Sequence, residues 1–244
     1  MPLADQLHSM QVYNQLLANP VLTLQNHDME VNQLPVLPNT GVQNLWFAAF
    51  GPSIVIDQTS LMAGAMAAGL MGPQDCAVQR SMVVSPMRGH GLPPANRYAA
   101  TGLVNAAAIA ANLWVTELQT GCTVLIVDWG AGQYSMTHLQ PSDDVQFNRF
   151  GRALMWTSNF AHNAYKNTWL KQEMTTVIQN TGGAPQRYIM VQSMFENTRR
   201  RVTQVVGVRN GGQFTFYRQR VAAARVVEQL QWSTWYAYVP YFSY

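Results

Sequence analysis

The chain has 244 residues, 48% of them hydrophobic and 11% aromatic, which is room for one large domain or two small ones with a sizeable core. Only 11% are charged, against about 25% in ordinary globular chains, so Asn, Gln, Ser and Thr carry the polarity. This composition excludes a wholly disordered chain. Two cysteines exclude a disulfide scaffold or a four-cysteine zinc site, and no heptad run or solenoid-length repeat occurs.

The net charge of +3 conceals an asymmetry. Residues 1–79 hold five acids and no Lys or Arg, while residues 80–244 hold all 15 bases and the remaining seven acids. Eight of those bases fall between Arg187 and Arg225, a basic stretch suited either to solvated strand faces or to an acidic partner. Arg199-Arg200-Arg201 is its densest run.

Taken in chain order, residues 1–40 are polar, Gln/Asn-rich and punctuated by Pro20, Pro35 and Pro38, the pattern of a leader or loosely packed arm. They lack the positive start and long apolar core of a Sec-type signal peptide. Residues 45–57 read as strands broken at Gly51-Pro52, residues 60–71 as a small, apolar segment, and residues 77–84 as a strand before a Pro/Gly-rich loop. Residues 98–116 are uncharged, but Thr101, Asn105, Asn112 and Thr116 recur at helical spacing opposite Leu103, Ala107, Ala110, Ala111, Trp114 and Leu118. That periodicity predicts a buried amphipathic helix over about 98–118 and argues against membrane insertion.

Residues 123–129 (TVLIVDW) and 133–139 read as a strand hairpin around Gly130-Ala131-Gly132. A helical stretch is expected from about 141 to 179. The tail then reads as strands over 187–194, 201–208 and 213–220, a helical piece, and a strand over 232–238. Asn210-Gly211-Gly212 supplies a hairpin turn. The aromatic tail, from Trp232 and Trp235 to Tyr244, is expected to pack partly in the core. No linker divides residues 41–244, which are read as one domain following the 1–40 arm.

Chemistry concentrates at Cys122, which follows Gln119-Thr120-Gly121, and at His138. A thiolate nucleophile needs a base within hydrogen-bond reach and donors for the oxyanion. An imidazole accepts the thiol proton, and a glycine lets the backbone approach a substrate carbonyl closely. A turn centred near residue 130 places Cys122 and His138 opposite one another with no register shift. The same elements fit a small core cysteine and a structural histidine, and Cys76 with His90 in the Pro/Gly-rich loop forms a competing pair. His162 has no partner at metal spacing and reads as structural. No P-loop, dinucleotide fingerprint, HExxH or paired zinc ligands appear, so neither cofactor nor metal is expected.

Thr120-Gly121-Cys122-Thr123-Val124 followed by His138 resembles the Leu-Ser-Gly-Cys…His pattern of bacterial glutamine deamidase toxins, which include the cytotoxic necrotizing factors and Burkholderia lethal factor. Gln119-Thr120 stands where that family has Leu-Ser, and the Ser-to-Thr change keeps the hydroxyl. Two further matches are similar to the lethal-factor branch. Thr116 stands six residues before the cysteine, as the catalytic threonine does there, and residues 141–154 (PSDDVQFNRFGRAL) resemble its run of acids, a Gln-Phe pair and Arg. The resemblance covers about residues 110–155.

The resemblance implies a secreted bacterial effector acting in the host cytosol, a protein-glutamine deamidase with no cofactor. Cys122 would be nucleophile, His138 base and then acid, and Thr116 the group orienting the imidazole. Gln119, Thr120 and Gly121 would shape the oxyanion region. Asp128 and Asp143 are alternative orienters. The implied partner is a host protein, a translation-initiation RNA helicase or else a Rho-family GTPase, with no direct nucleic-acid partner. The expected fold is α/β (α+β), two packed mixed β-sheets flanked by helices in a single domain. The rival reading is a non-enzymatic adaptor that binds through its basic, aromatic C-terminal half.

Overall fold

The computed structural model describes residues 2–31, 42–57, 78–85, 98–116, 123–139, 185–192, 202–221 and 225–234. Helix α1 (Pro2–Ala18) buries Ser9, Val12, Tyr13 and Leu16, the spacing of one helical face. Asn19 then starts α2 (Pro20–Asn26): its side chain accepts from the Leu22 N–H at 3.3 Å, and Pro20 occupies the first turn, where no N–H is needed. Strand β1 (Asp28–Val31) follows directly. Over residues 2–31 the stretch expected as a loosely packed arm is therefore part of the core, because its few apolar residues share one face.

Strands β2 (Val42–Phe50) and β3 (Ser53–Asp57) form the hairpin expected at Gly51-Pro52, with Gly51 at φ +52°. The remaining strands of this sheet are β4 (Val78–Ser85), β7 (Leu113–Thr116), β11 (Val202–Asn210), β12 (Gln213–Val221) and β13 (Arg225–Gln229). Together they make sheet A in the order β1-β3-β2-β4-β7-β11-β12-β13, parallel at β1–β3 and β4–β7 and antiparallel elsewhere. Sheet B has the order β14-β10-β8-β9-β5, with β6 also on β9. Its strands are β5 (Tyr98–Ala100), β6 (Val104–Asn105), β8 (Thr123–Gly130), β9 (Gln133–Leu139), β10 (Arg187–Gln192) and β14 (Ser233–Thr234), all antiparallel. The described residues thus form an α+β domain of two sheets and two helices, in which sheet A alone is mixed.

Sheet A is apolar on both faces. One face meets α1 and α2 through Leu45, Phe47, Ile54, Ile56, Leu113, Val115, Val206 and Tyr217. The other meets sheet B through Val83, Trp114, Val205, Phe214 and Phe216, which pack on Val124, Ile126, Tyr134, Met136, Ile189 and Val191. Its two edges are tied by side chains rather than by a ladder. Arg225 of β13 pairs with Asp28 of β1. Buried Gln219 of β12 accepts from the Met29 N–H at 2.9 Å and donates to the Leu24 and His27 carbonyls at 2.6 Å each. The sheet thereby curls around the helices, and an edge N–H of β1 is satisfied internally.

Two expected helices are corrected. Residues 98–116 hold β5, β6, a turn and β7. The polar residues that mimicked a helical face bond outside any helix ladder: the Thr101 hydroxyl accepts from the Met136 N–H, the Asn105 side chain from the Ala107 N–H, and Asn112 from Arg209. Gly102, at φ +70°, breaks any helix there, and Leu113–Thr116 is buried throughout, as a strand covered on both faces requires. The helical piece expected after β12 is β13, which extends the β11–β12 hairpin by pairing with β12. The segments 60–71 and 141–179, the loop 86–94, the arginine run 199–201 and the tail beyond 234 lie outside the described residues.

The inter-sheet core centres on Trp114, whose ring meets Phe214 at 5.3 Å and Phe216 at 5.9 Å between ring centroids. Gly207 provides the room. A Cβ there would lie 2.6 Å from the Phe216 ring and 3.0 Å from the Trp114 Cβ. Gly207→Ala is expected to lower the unfolding free energy by about 1–3 kcal/mol through overpacking, measured by urea denaturation. An unchanged midpoint would show that Phe216 moves aside freely.

Candidate functional site

The β8–β9 hairpin turns at Ala131-Gly132, both at positive φ (51° and 73°), and is closed by the Gly130–Gln133 pair. An irregularity lies between Asp128 and Gly130, and beyond it the ladder runs to Thr123–Leu139. In this register His138 faces Val124, not position 122. The expectation that Cys122 and His138 stand directly opposite is therefore displaced by two residues, because the turn centres beyond Gly130. Cys122 itself, with Gln119, Thr120, Gly121, Cys76, His90, Asp143 and His162, lies outside the described residues.

His138 sits between Val124 of β8 and Ala99 of β5 and shares a strand face with Met136 and Tyr134, which face the inter-sheet core. It is 1% exposed. Neither ring nitrogen has a hydrogen-bond partner among the described residues. Burial alone pushes the imidazole from its ordinary 6.5 to about 4, so the ring is neutral at physiological pH. A neutral imidazole keeps one nitrogen free to accept a proton, the state in which a base receives one from a thiol.

Thr116 ends β7, on the same face as Trp114, and is fully buried. It therefore points into the layer that also contains His138. Its strand pairs with β4 through Ser85, and β4 approaches β9. The Thr116 hydroxyl donates to the Val205 carbonyl at 3.4 Å and accepts from the Val205 N–H at 3.3 Å. The Thr116 carbonyl accepts from Gln204 Nε2. The structure brings Thr116 and His138 into one buried layer without a hydrogen bond between them.

Asp128 is not placed to orient the imidazole. It faces Tyr134, four residues from His138, or about 13 Å along the strand. Its carboxylate is committed, accepting from the Gly130 N–H at 2.9 Å and Arg187 Nε at 2.6 Å. The Arg187 guanidinium in turn stacks on Trp232 at 4.6 Å, a clamp at the far end of sheet B. Sequence reasoning also missed Gln204, whose contact with Thr116 joins residues 88 apart and leaves no local signal.

No group of three or more His, Cys, Asp or Glu suited to a metal occurs among the described residues, nor does any helix long and apolar enough to cross a membrane. No family model and no curated protein sequence matches the chain. Among solved structures it is weakly similar to the crystal structure of the C-terminal domain of CNFy from Yersinia pseudotuberculosis. The TM-score is 0.38 and the identity 9%, over 93% of this chain and 98% of that one.

The buried ring makes stability depend on pH. Above 6.5 the imidazole is neutral in both folded and unfolded chains. Between 6.5 and about 4 the unfolded chain takes up a proton that the folded one refuses, so stability falls as pH is lowered. His138→Leu lacks this contribution. Between neutral pH and about pH 4.5 the wild type should lose about 2–3 kcal/mol more than the variant, measured by urea denaturation. Equal pH dependence would mean that the ring is paired or solvated.

Proposed function

We propose that the protein is a bacterial effector that converts a glutamine side chain of a host protein to glutamate in the host cytosol, with Cys122 as nucleophile and His138 as base. The observation that carries this reading is His138. It is a fully buried, neutral imidazole without a partner at either nitrogen among the described residues, on the strand that pairs with the continuation of Cys122. A structural histidine in a core ordinarily spends at least one ring nitrogen on a hydrogen bond, and an orphaned one costs stability. The sequence resemblance around Thr120-Gly121-Cys122 supplies the reaction class.

The steps balance without a cofactor. His138 takes the thiol proton, and the thiolate sulfur adds to the carboxamide carbon, forming a tetrahedral oxyanion held by backbone donors around Gly121. The C–N bond breaks as the imidazolium gives its proton to the leaving amine, leaving a thioester and ammonia. Water then adds to the thioester with His138 again as base, and the C–S bond breaks to give glutamate and the free thiol. The dry surroundings that lower the imidazole pKa are offset once a thiolate lies beside it, since opposite charges stabilise each other at low dielectric. Thr116, which lies in the same buried layer but makes no hydrogen bond to the ring in this structure, would orient it through an oxygen with a spare lone pair, a role that needs no charge. Gln119 and Thr120 shape the oxyanion region. The substrate proposed first is the translation-initiation RNA helicase, and second a Rho-family GTPase.

Incubation of each candidate substrate with wild-type protein should raise the mass of one glutamine-containing peptide by about one dalton, read by peptide mass spectrometry. Cys122→Ser and His138→Ala should abolish the shift. Iodoacetamide at neutral pH should modify Cys122 well before Cys76, because the thiolate is the reactive form. A Cys122 no faster than Cys76, with no mass shift on either substrate, would overturn the enzymatic reading.

A further inference from the structure

Gln204 and Gln219 are register partners on β11 and β12, on the face of sheet A that meets the helices. Both are buried, at 1% and 0% exposure. The Gln219 amide is used at both ends, for Met29 on one side and for Leu24 and His27 on the other. The Gln204 amide is used at one end only. Nε2 donates to the Thr116 carbonyl, while Oε1 has no partner among the described residues. An orphaned buried amide oxygen is a net cost that an apolar side chain of the same volume would not carry.

What Gln204 supplies is a hold on one peptide. The β7–β11 ladder stops at the Val115–Val206 pair. Beyond it, toward β11, Thr116 is held only through side chains: its own hydroxyl on both backbone groups of Val205, and Gln204 on its carbonyl. Thr116 is the last described residue before the segment that reaches Cys122, six positions later.

We propose that Gln204 is a positioning residue that fixes the Thr116 peptide from behind sheet A, and with it the threonine proposed to orient His138. The geometric half of this claim stands on the hydrogen bonds alone; its catalytic meaning rests on the reading of Cys122 as nucleophile. Gln219 does not take part, although it is its neighbour and chemical twin, because its bonds run to the N-terminal helices.

The test compares Gln204→Met with Gln219→Met in the full chain. Gln204→Glu is a second variant in case the first does not fold; it keeps the shape and, when ionised, removes the donor. Two readouts are taken: hydrogen exchange of backbone amides in peptides spanning 113–124, and the pH profile of Cys122 alkylation by iodoacetamide. Loss of Gln204 Nε2 should speed exchange there at least about tenfold and move the alkylation midpoint up by about one pH unit, about tenfold less thiolate near neutrality. Gln219→Met should leave the alkylation profile unchanged. Identical exchange and alkylation in wild type and the Gln204 variants would overturn the proposal. So would equal shifts in the Gln204 and Gln219 variants, which report general loosening. A wild-type Cys122 no more reactive than Cys76 would sink the nucleophile reading and the catalytic half of the claim, while the exchange comparison would still decide the geometric half.

Discussion

Strand β7 sets the terms for the rest of the molecule. All four of its residues, Leu113 to Thr116, are buried, and alternate side chains enter two separate cores, one shared with the N-terminal helices and one with sheet B. A strand covered on both faces cannot send a polar group to water, so every such group must find a partner inside. Thr116 and Gln219 do so completely, and Asp128 does so on sheet B. Among the described residues Gln204 does so at one end and His138 at neither nitrogen, and the Trp114 indole N–H and the Thr137 hydroxyl are likewise without a partner. Each such group is a place where stability has been given up.

The two ends of sheet B divide the polar work between them. At the hairpin end, Asp128, Arg187 and Trp232 form an ion pair capped by an aromatic ring, a clamp that joins β8, β10 and the approach to β14. At the opposite end no described carboxylate accompanies His138, and burial alone governs its proton affinity. Burial keeps the imidazole neutral, and neutrality is the condition for taking a proton from a thiol.

Register decides what the histidine meets. Because the β8–β9 turn lies at Ala131-Gly132 and an irregularity follows at Asp128/Gly130, His138 stands beside Val124. Thr116 approaches from the other sheet, held in place by β11. The elements that bear on the layer around His138 therefore come from β7, β8, β9 and β11, brought together by the packing of one sheet on the other.

Much of the fold was legible locally. Period-two apolar runs bounded by Gly and Pro marked β2, β3, β4, β8, β9, β11 and β12, since strand patterning and turn chemistry are short-range properties. His138 was legible as a candidate on a hairpin strand, while its register partner, Val124, was not. The segment 98–116 misled because Thr and Asn at spacings of four and seven imitate a helical face. Only the tertiary structure showed that Thr101, Asn112 and Thr116 bond to strands distant in sequence and Asn105 to its own turn. The N-terminal stretch looked too polar to pack, yet four positions on one face of α1 sufficed. What the sequence by itself determined was therefore most of the strands and the turns between them. Which core each face enters, which residue His138 faces, and that Gln204 reaches Thr116 were decided by long-range pairing, because a contact between residues 88 apart leaves no periodicity to read.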